Sequence, residues 1–244
     1  MTITTARLLR GIKRRITVPA NQVLIDDSGM LELADDVMRD FMVPLITSTR
    51  QNYFVVTENV AVVESQATYD IPYRYSARGL RDIKYSFDGT ETGVGDLTQI
   101  ALEDEHLFAV EGEPSGFYFF GDQFKLVPAP LNDSQYIVLY GEIPPSRLVA
   151  VTAAGLITAI SVGDPTTTVT VDVLPTTMIS GVEIDFVQGK QGNRLLAMDK
   201  AITNASGTQL TFDADDVPDA LVVGDWISLA QTSPVLMMPD ECQP

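Results

Sequence analysis

The stretch Ile25 to Gln51, IDDSGMLELADDVMRDFMVPLITSTRQ, decides how the rest of the chain is read. On a wheel of about 100° per residue, Met30, Leu31, Leu33, Ala34, Val37, Met38, Phe41, Met42 and Leu45 fall on one half of the circumference. Glu32, Asp35, Asp36, Arg39 and Asp40 occupy the other half, and Val43 is the apolar residue out of place. This is helical periodicity, with an apolar face wider than a lone surface helix needs. Ser28 or Asp27 is positioned to cap the start, and acidic side chains crowd the first turns, where the helix dipole favours them. Pro44 removes a backbone donor and frees the carbonyl of Asp40, so a kink is expected there. The face built from Met30, Leu31, Ala34, Val37, Met38, Phe41 and Leu45 fits a core helix of its own domain. The sharper reading adds a subunit interface.

Upstream, residues 5–16 (TARLLRGIKRRI) form a shorter amphipathic helix. Leu8, Leu9, Ile12 and Ile16 make a narrow apolar stripe, with Arg7, Arg10, Lys13, Arg14 and Arg15 around the rest. Gly11 weakens the helix by about 1 kcal/mol relative to Ala. A helix this short is marginal alone and has to dock on something. DNA offers no groove for the stripe, so these nine residues are expected to bind a protein, the arginines pairing with its carboxylates; the alternative is a helix packed only on its own subunit with its charges solvated. Pro19 ends the helix, and Pro19-Ala20-Asn21-Gln22 leads into the longer one.

Downstream, the period changes from 3.6 to 2 at Tyr53. YFVVTENVAVV, ATYDIPYRY and LRDIKYSF read as strands, broken at Glu64-Ser65-Gln66 and Ser76-Ala77-Arg78-Gly79. Asp88 to Asp96 (DGTETGVGD) reads as a turn: its glycines are followed by no Lys-Ser/Thr and open no helix, so a phosphate cradle does not fit. GFYFF-GD-QFKLVPAP is a hairpin turning at Gly121-Asp122, and residues 135–143 add another strand. Pro144-Pro145 marks a boundary mirrored by Ser233-Pro234. Between them LITAISV, TTVTVDV, GVEIDFV, RLLAMDKAI, TQLTF and DWISLA give six short strands at the spacing of a small barrel or sandwich. Pro239-Asp240-Glu241 in the tail signals a helix start. The expected fold class is α+β: N-terminal amphipathic helices packed with an antiparallel β domain, plus an inserted small β-barrel or sandwich domain. The expected divisions are a helical oligomerisation and docking region at 1–52, the β domain at 53–143, the insert at 144–234 and a tail at 235–244.

Composition limits the chemistry. The 244 residues suffice for one large or a few small domains, and 45 % hydrophobic content describes a globular chain. No apolar run is long enough to span a membrane, and residues 1–25 show no signal-peptide core, so folding in a reducing cytoplasm is expected. The formal net charge is −17, yet the first 25 residues hold five basic and no acidic side chains, leaving −22 on the remainder. Tight wrapping of nucleic acid is not expected of such a body. The lone Cys242 and lone His106 supply too few soft ligands for zinc. His106 lies in EDEHLF without a GxSxG serine and reads as a surface or turn histidine. Asp213-Ala214-Asp215-Asp216 and Asp26-Asp27 do not follow a calcium-loop spacing. No carboxylate pair stands out for glycosidic cleavage. Tyr118, Phe119 and Phe120 lack the flanking basic residues of a nucleic-acid stacking platform. No enzyme, cofactor or metal is expected.

One resemblance runs through residues 5–143. The order of a basic amphipathic helix, PANQ, an acidic helix with Val43-Pro44-Leu45, then Tyr53-Phe54 and Ala67-Thr68-Tyr69-Asp70-Ile71-Pro72 resembles the head-to-tail adaptor proteins of tailed bacteriophages. Leu80-Arg81-Asp82-Ile83 and the Gly121-Asp122 hairpin ending Leu126-Val127-Pro128 fit the same pattern, and the inserted barrel resembles what some members carry. The resemblance implies a structural virion protein, a homo-oligomeric ring, often twelve-fold, in the phage neck beneath the portal. It implies the portal and the tail or neck proteins as partners, DNA passing nearby without sequence-specific binding, no membrane, and assembly in the host cytoplasm. In similar proteins further helices usually follow a segment like PVLMMPDECQP. The competing expectations are a tail-terminator or capsid-associated ring protein, and a polysaccharide-binding or -cleaving β domain on a helical stalk.

Overall fold

A computed structural model describes residues 3–16, 26–75, 79–86, 93–107, 112–189 and 195–238. The expected linker at Pro19–Gln22, the break at Ser76–Arg78, most of the Gly-rich turn from Asp88, and the helix start at Pro239–Glu241 lie outside these residues. The fold is mixed, a few helices with several largely antiparallel sheets, as the two sequence periods imply.

Helix α1 (Thr5–Ile16) closes its first turn on the Thr4 carbonyl, and carries Lys13, Arg14 and Arg15 in its last turn, where the dipole favours cations. Helix α2 (Asp27–Val37) is capped by Asp26, whose carboxylate accepts the Gly29 N–H at 2.8 Å. The cap falls one residue before Asp27 and two before Ser28, because Asp26 keeps extended backbone while both of those are already helical. Residues Met38–Met42 form a π turn in which the Val43 N–H reaches back to the Met38 carbonyl. Helix α3 (Val43–Thr49) continues directly from it, so the N–H that Pro44 lacks falls where the π turn already interrupts the regular hydrogen-bond ladder. The irregularity expected at Pro44 thus takes the form of a π turn immediately before it.

The chain divides into two compact units, Ile46–Pro144 and the pair of segments Met1–Leu45 and Pro145–Pro244. In the unit 46–144, the strands are β1 (Val55–Ala61), β2 (Thr68–Asp70), β3 (Leu80–Ser86), β4 (Val94–Asp96), β5 (Thr98–Gln99), β6 (Gly116–Phe120), β7 (Gln123–Val127) and β8 (Tyr136–Glu142). They form two four-stranded sheets, β1-β8-β3-β4 and β2-β7-β6-β5, antiparallel except for the short β5–β6 pair. Ile83, Tyr85, Ile137 and Leu139 from the first sheet and Phe124 and Leu126 from the second are fully buried. The β6–β7 hairpin turns at Gly121-Asp122, with Gly121 at φ 66°, a conformation that favours glycine. Val94–Asp96, read as the end of the Gly-rich turn, instead form β4 by pairing with β3, and β5 and a 3₁₀ turn at Leu102–Leu107 come from short polar stretches with no clear period.

The second unit adds β9 (Arg147–Leu148), β10 (Ala154–Ser161), β11 (Thr166–Val171), β12 (Glu183–Val187), β13 (Leu195–Ala201), β14 (Asn204–Ser206), β15 (Gln209–Asp213), β16 (Trp226–Leu229) and β17 (Thr232–Ser233). Seven of these make one sheet, in the order β13-β12-β16-β10-β11-β15-β14, while β9 and β17 form a separate parallel pair. Each of the six strands expected here is present, but no sheet closes into a barrel. Strand β10 pairs with β16 through its first residues and with β11 through its last, with a register shift between Ile157 and Ala159. A shift of this kind bends a strand and lets a sheet fold over its own core. Ile157, Val169, Ile184, Phe186, Phe212 and Ile227, drawn from both halves of the sheet, meet in one apolar cluster. Closure fails at one corner. Ile202 exchanges hydrogen bonds with Gly181 and Val182 beside β12, whereas the next residue, Thr203, donates to Thr211 in β15. The chain crosses there from one sheet edge to the other, and β13 and β14 do not pair.

The N-terminal helices belong with this second unit. The Leu236 N–H donates to the Ile3 carbonyl, the Thr5 N–H to the Pro234 carbonyl, and Thr4 bridges Val235. The sequence divisions set residues 1–52 apart and made 144–234 the insert; the contacts instead tie the helices to residues 145–238, with 46–144 lying between them in sequence. Hydrophobic periodicity marks which faces are apolar, but it does not say which distant segment covers them.

Candidate interaction site on the N-terminal helices

Helix α2 docks through polar side chains. Glu32, Asp35 and Arg39, at spacings of three and four, lie on one stripe of α2 and the π turn. Glu32 accepts from the Arg147 guanidinium at 2.6 Å, Asp35 from the Leu148 N–H at 3.2 Å, and Arg39 donates to the Pro145 carbonyl at 3.5 Å. Arg39 also pairs with Asp35 at 2.9 Å. Asp35 is only 6 % exposed, so its carboxylate is removed from water with both oxygens bonded, the condition under which a buried charge is tolerated. The sequence placed all three on the outward half of the wheel. The missed signal is their own 32-35-39 spacing, a polar stripe able to grip an extended segment.

This docking rotates the buried side of α2 toward its polar half and splits the apolar face. Met30, Leu31 and Met38 are buried and Ala34 is half-buried. Leu33, Val37, Phe41 and Leu45 are left 59 %, 47 %, 70 % and 56 % exposed. They repeat every four residues over about three turns, a continuous apolar stripe. Asp36 and Asp40 lie exposed beside it and make no ion pair among the described residues.

On α1, Leu9 is buried, and Leu8 and Ile12 are half-buried. Arg7, Arg10, Lys13, Arg14 and Arg15 are exposed, and the side chain of Ile16 lies outside the described residues. Lys13 pairs with Asp27 at the start of α2. The four arginines make no ion pair among the described residues, although Arg10 Nε donates to the Ala6 carbonyl. Ile3, Arg7, Leu8, Arg10, Gly11, Ile12, Arg14 and Arg15 line a groove of about 430 Å³. Its lining combines Ile3, Leu8 and Ile12 with four arginines, and the space above Gly11 is open. The two segments therefore present opposite characters, a basic groove on α1 and an apolar ridge, with carboxylates beside it, that runs from α2 into α3.

Elsewhere the polar clusters fasten loops. Tyr118 and Lys125 both donate to Glu105, at 2.8 Å and 2.6 Å, holding the 3₁₀ turn 102–107 onto the hairpin. The Lys125 ammonium and then the Tyr118 hydroxyl hold the Glu105 carboxyl below its ordinary range. His106 Nδ1 sits 2.8 Å from the Glu103 carbonyl in the same exposed turn. Buried Asp225 accepts the N–H groups of Gly189 and Val222, and Asp216 is engaged by Lys200. Among the described residues no three His, Cys, Asp or Glu side chains converge as metal ligands, and no helix is long and apolar enough to cross a membrane. Compared with known proteins, the chain matches no family model and no curated sequence.

Proposed function

We propose that the chain is a structural protein of the neck of a tailed bacteriophage, a ring-forming adaptor between portal and tail through which DNA passes. The observation that carries this reading is the pair of surfaces on the N-terminal helices: an exposed apolar stripe that runs from α2 through the π turn into α3, and an arginine-lined groove on α1. Both suit protein partners. Apolar ridges of this continuity on a chain of net charge −17 mark sites of association, and arginines supply the directional pairing with carboxylates that fixes register. The family resemblance of residues 5–143 supports the particular setting, with the portal and neighbouring subunits as partners. In this reading the curled β unit of residues 147–233 plays the part of the small β domain carried by some adaptors. The remainder of the chain is strongly acidic, and a duplex passing such a surface slides without being held.

Electron microscopy of the purified chain, alone and with portal-containing heads, tests the reading. Closed rings, or density added at the portal vertex, are expected. A chain that stays monomeric at high concentration and leaves the heads unaltered would overturn it.

A further inference from the structure

The geometry points to a specific subunit contact: the α1 groove of one copy receives the α2–α3 stripe of the next. This inference rests on the ring reading and names the surfaces that would build it. The argument is complementarity in charge and in apolar character. Between residues 5 and 16 there are five cations and no carboxylate, whereas residues 26–49 hold six carboxylates and one arginine. Arg7 and Arg14 line the groove, and exposed Asp36 and Asp40 lie beside the stripe. Leu8 and Ile12 give the groove apolar lining, and beside them the space over Gly11 is open, an added Cβ there meeting nothing within 4 Å. Phe41, 70 % exposed, is the largest side chain on the ridge and the one placed to cover the open space over Gly11.

Within one copy the two surfaces are not joined this way. The α1–α2 ion pair involves Lys13 and Asp27, at the far end of α2 from Phe41, and the stripe stays in water. Two different surfaces that fit each other across copies make a heterologous contact, and such contacts run head to tail, closing into a ring when the rotation permits. Charges placed this way also select the register and reject like-charged alternatives.

The test is a reciprocal charge exchange in the full chain, followed by sedimentation velocity. Arg7→Glu with Arg14→Glu, or Asp36→Arg with Asp40→Arg, is expected to raise the assembly dissociation constant by about tenfold or more. The chain carrying both exchanges is expected to recover assembly. Gly11→Leu adds a separate arm: it strengthens α1 as a helix but fills that open space, so the melting temperature holds or rises while assembly falls. Trp226 fluorescence melts confirm that each variant is folded. Should a reversed variant melt early, Arg14→Gln and Asp40→Asn carry the same comparison with a smaller effect. Assembly that is insensitive to both exchanges, or is lost in each and not recovered in the combination, overturns the pairing while leaving a ring intact as a reading. A wild-type chain that never assembles overturns both.

Discussion

Tyr85 lies wholly buried in β3, its hydroxyl donating to Gln135, and burial first, then the Glu113 carboxylate, pushes its pKa up to about 12 from 10.0. Tyr75, packed over Gly141 and bonded to Glu58, is pushed up further by the same two kinds of cause. A phenol that holds its proton more tightly when folded stabilises the chain fully below the unfolded value. That stabilisation drains away as pH climbs from about 10 toward 12. The unit 46–144 is therefore expected to unfold in that window, read by near-ultraviolet circular dichroism of its tyrosines; phenols that ionise near 10 in a still-folded chain would contradict this. Gly141 gives a second expectation. A Cβ there would fall within the Tyr75 ring, so the ring has to move. Gly141→Ala should cost about 1–3 kcal/mol in urea unfolding, and Tyr75→Leu in the same chain should return part of it.

At the scale of elements, strands and helices were legible because their periods are strong. Residues 5–16 and 27–37 are helical, the Gly121-Asp122 hairpin turns at its glycine, and all six strands read between 144 and 234 are present. Short elements such as β4, β5 and the 102–107 turn were not, since two or three residues carry no period. The harder failure concerned α2. Its apolar half predicts the buried face, yet three polar bonds to residues 145–148 turn the helix away from that orientation. A wheel weighs side chains by hydropathy and has no access to a partner segment more than a hundred residues away. Asp35→Ala should therefore be costly, by about 1–3 kcal/mol, because it strands the buried Leu148 N–H and frees Arg39 from its carboxylate. Asp36→Ala, one residue on and exposed, should change stability by no more than about 0.5 kcal/mol. Thermal melts of the two variants compare them directly, and equal effects would mean that the polar stripe does not anchor α2.

For the whole molecule, the question is whether residues 46–144 are a separate folding unit, and the sequence supplies the reporters. All eight tyrosines lie between Tyr53 and Tyr140, whereas the single tryptophan, Trp226, lies in the other unit. Each signal therefore follows one unit. The segment has its own pair of sheets and its own fully buried side chains, Ile83, Tyr85, Phe124 and Leu139 among them. About a hundred residues are enough to bury a self-sufficient core. On the other side of the division, Arg39 reaches the Pro145 carbonyl, so the helix leading into the segment and the chain leaving it start from one corner of their unit. A short Gly-Ser linker could join Leu45 to Pro145 across that distance. Two outcomes are then expected: residues 46–144 expressed alone unfold cooperatively by tyrosine circular dichroism, and the linked remainder keeps the Trp226 unfolding transition of the full chain. Loss of cooperativity in either piece would mean that the two units share stabilising contacts, and the arginine groove would then have to be studied only in the intact chain.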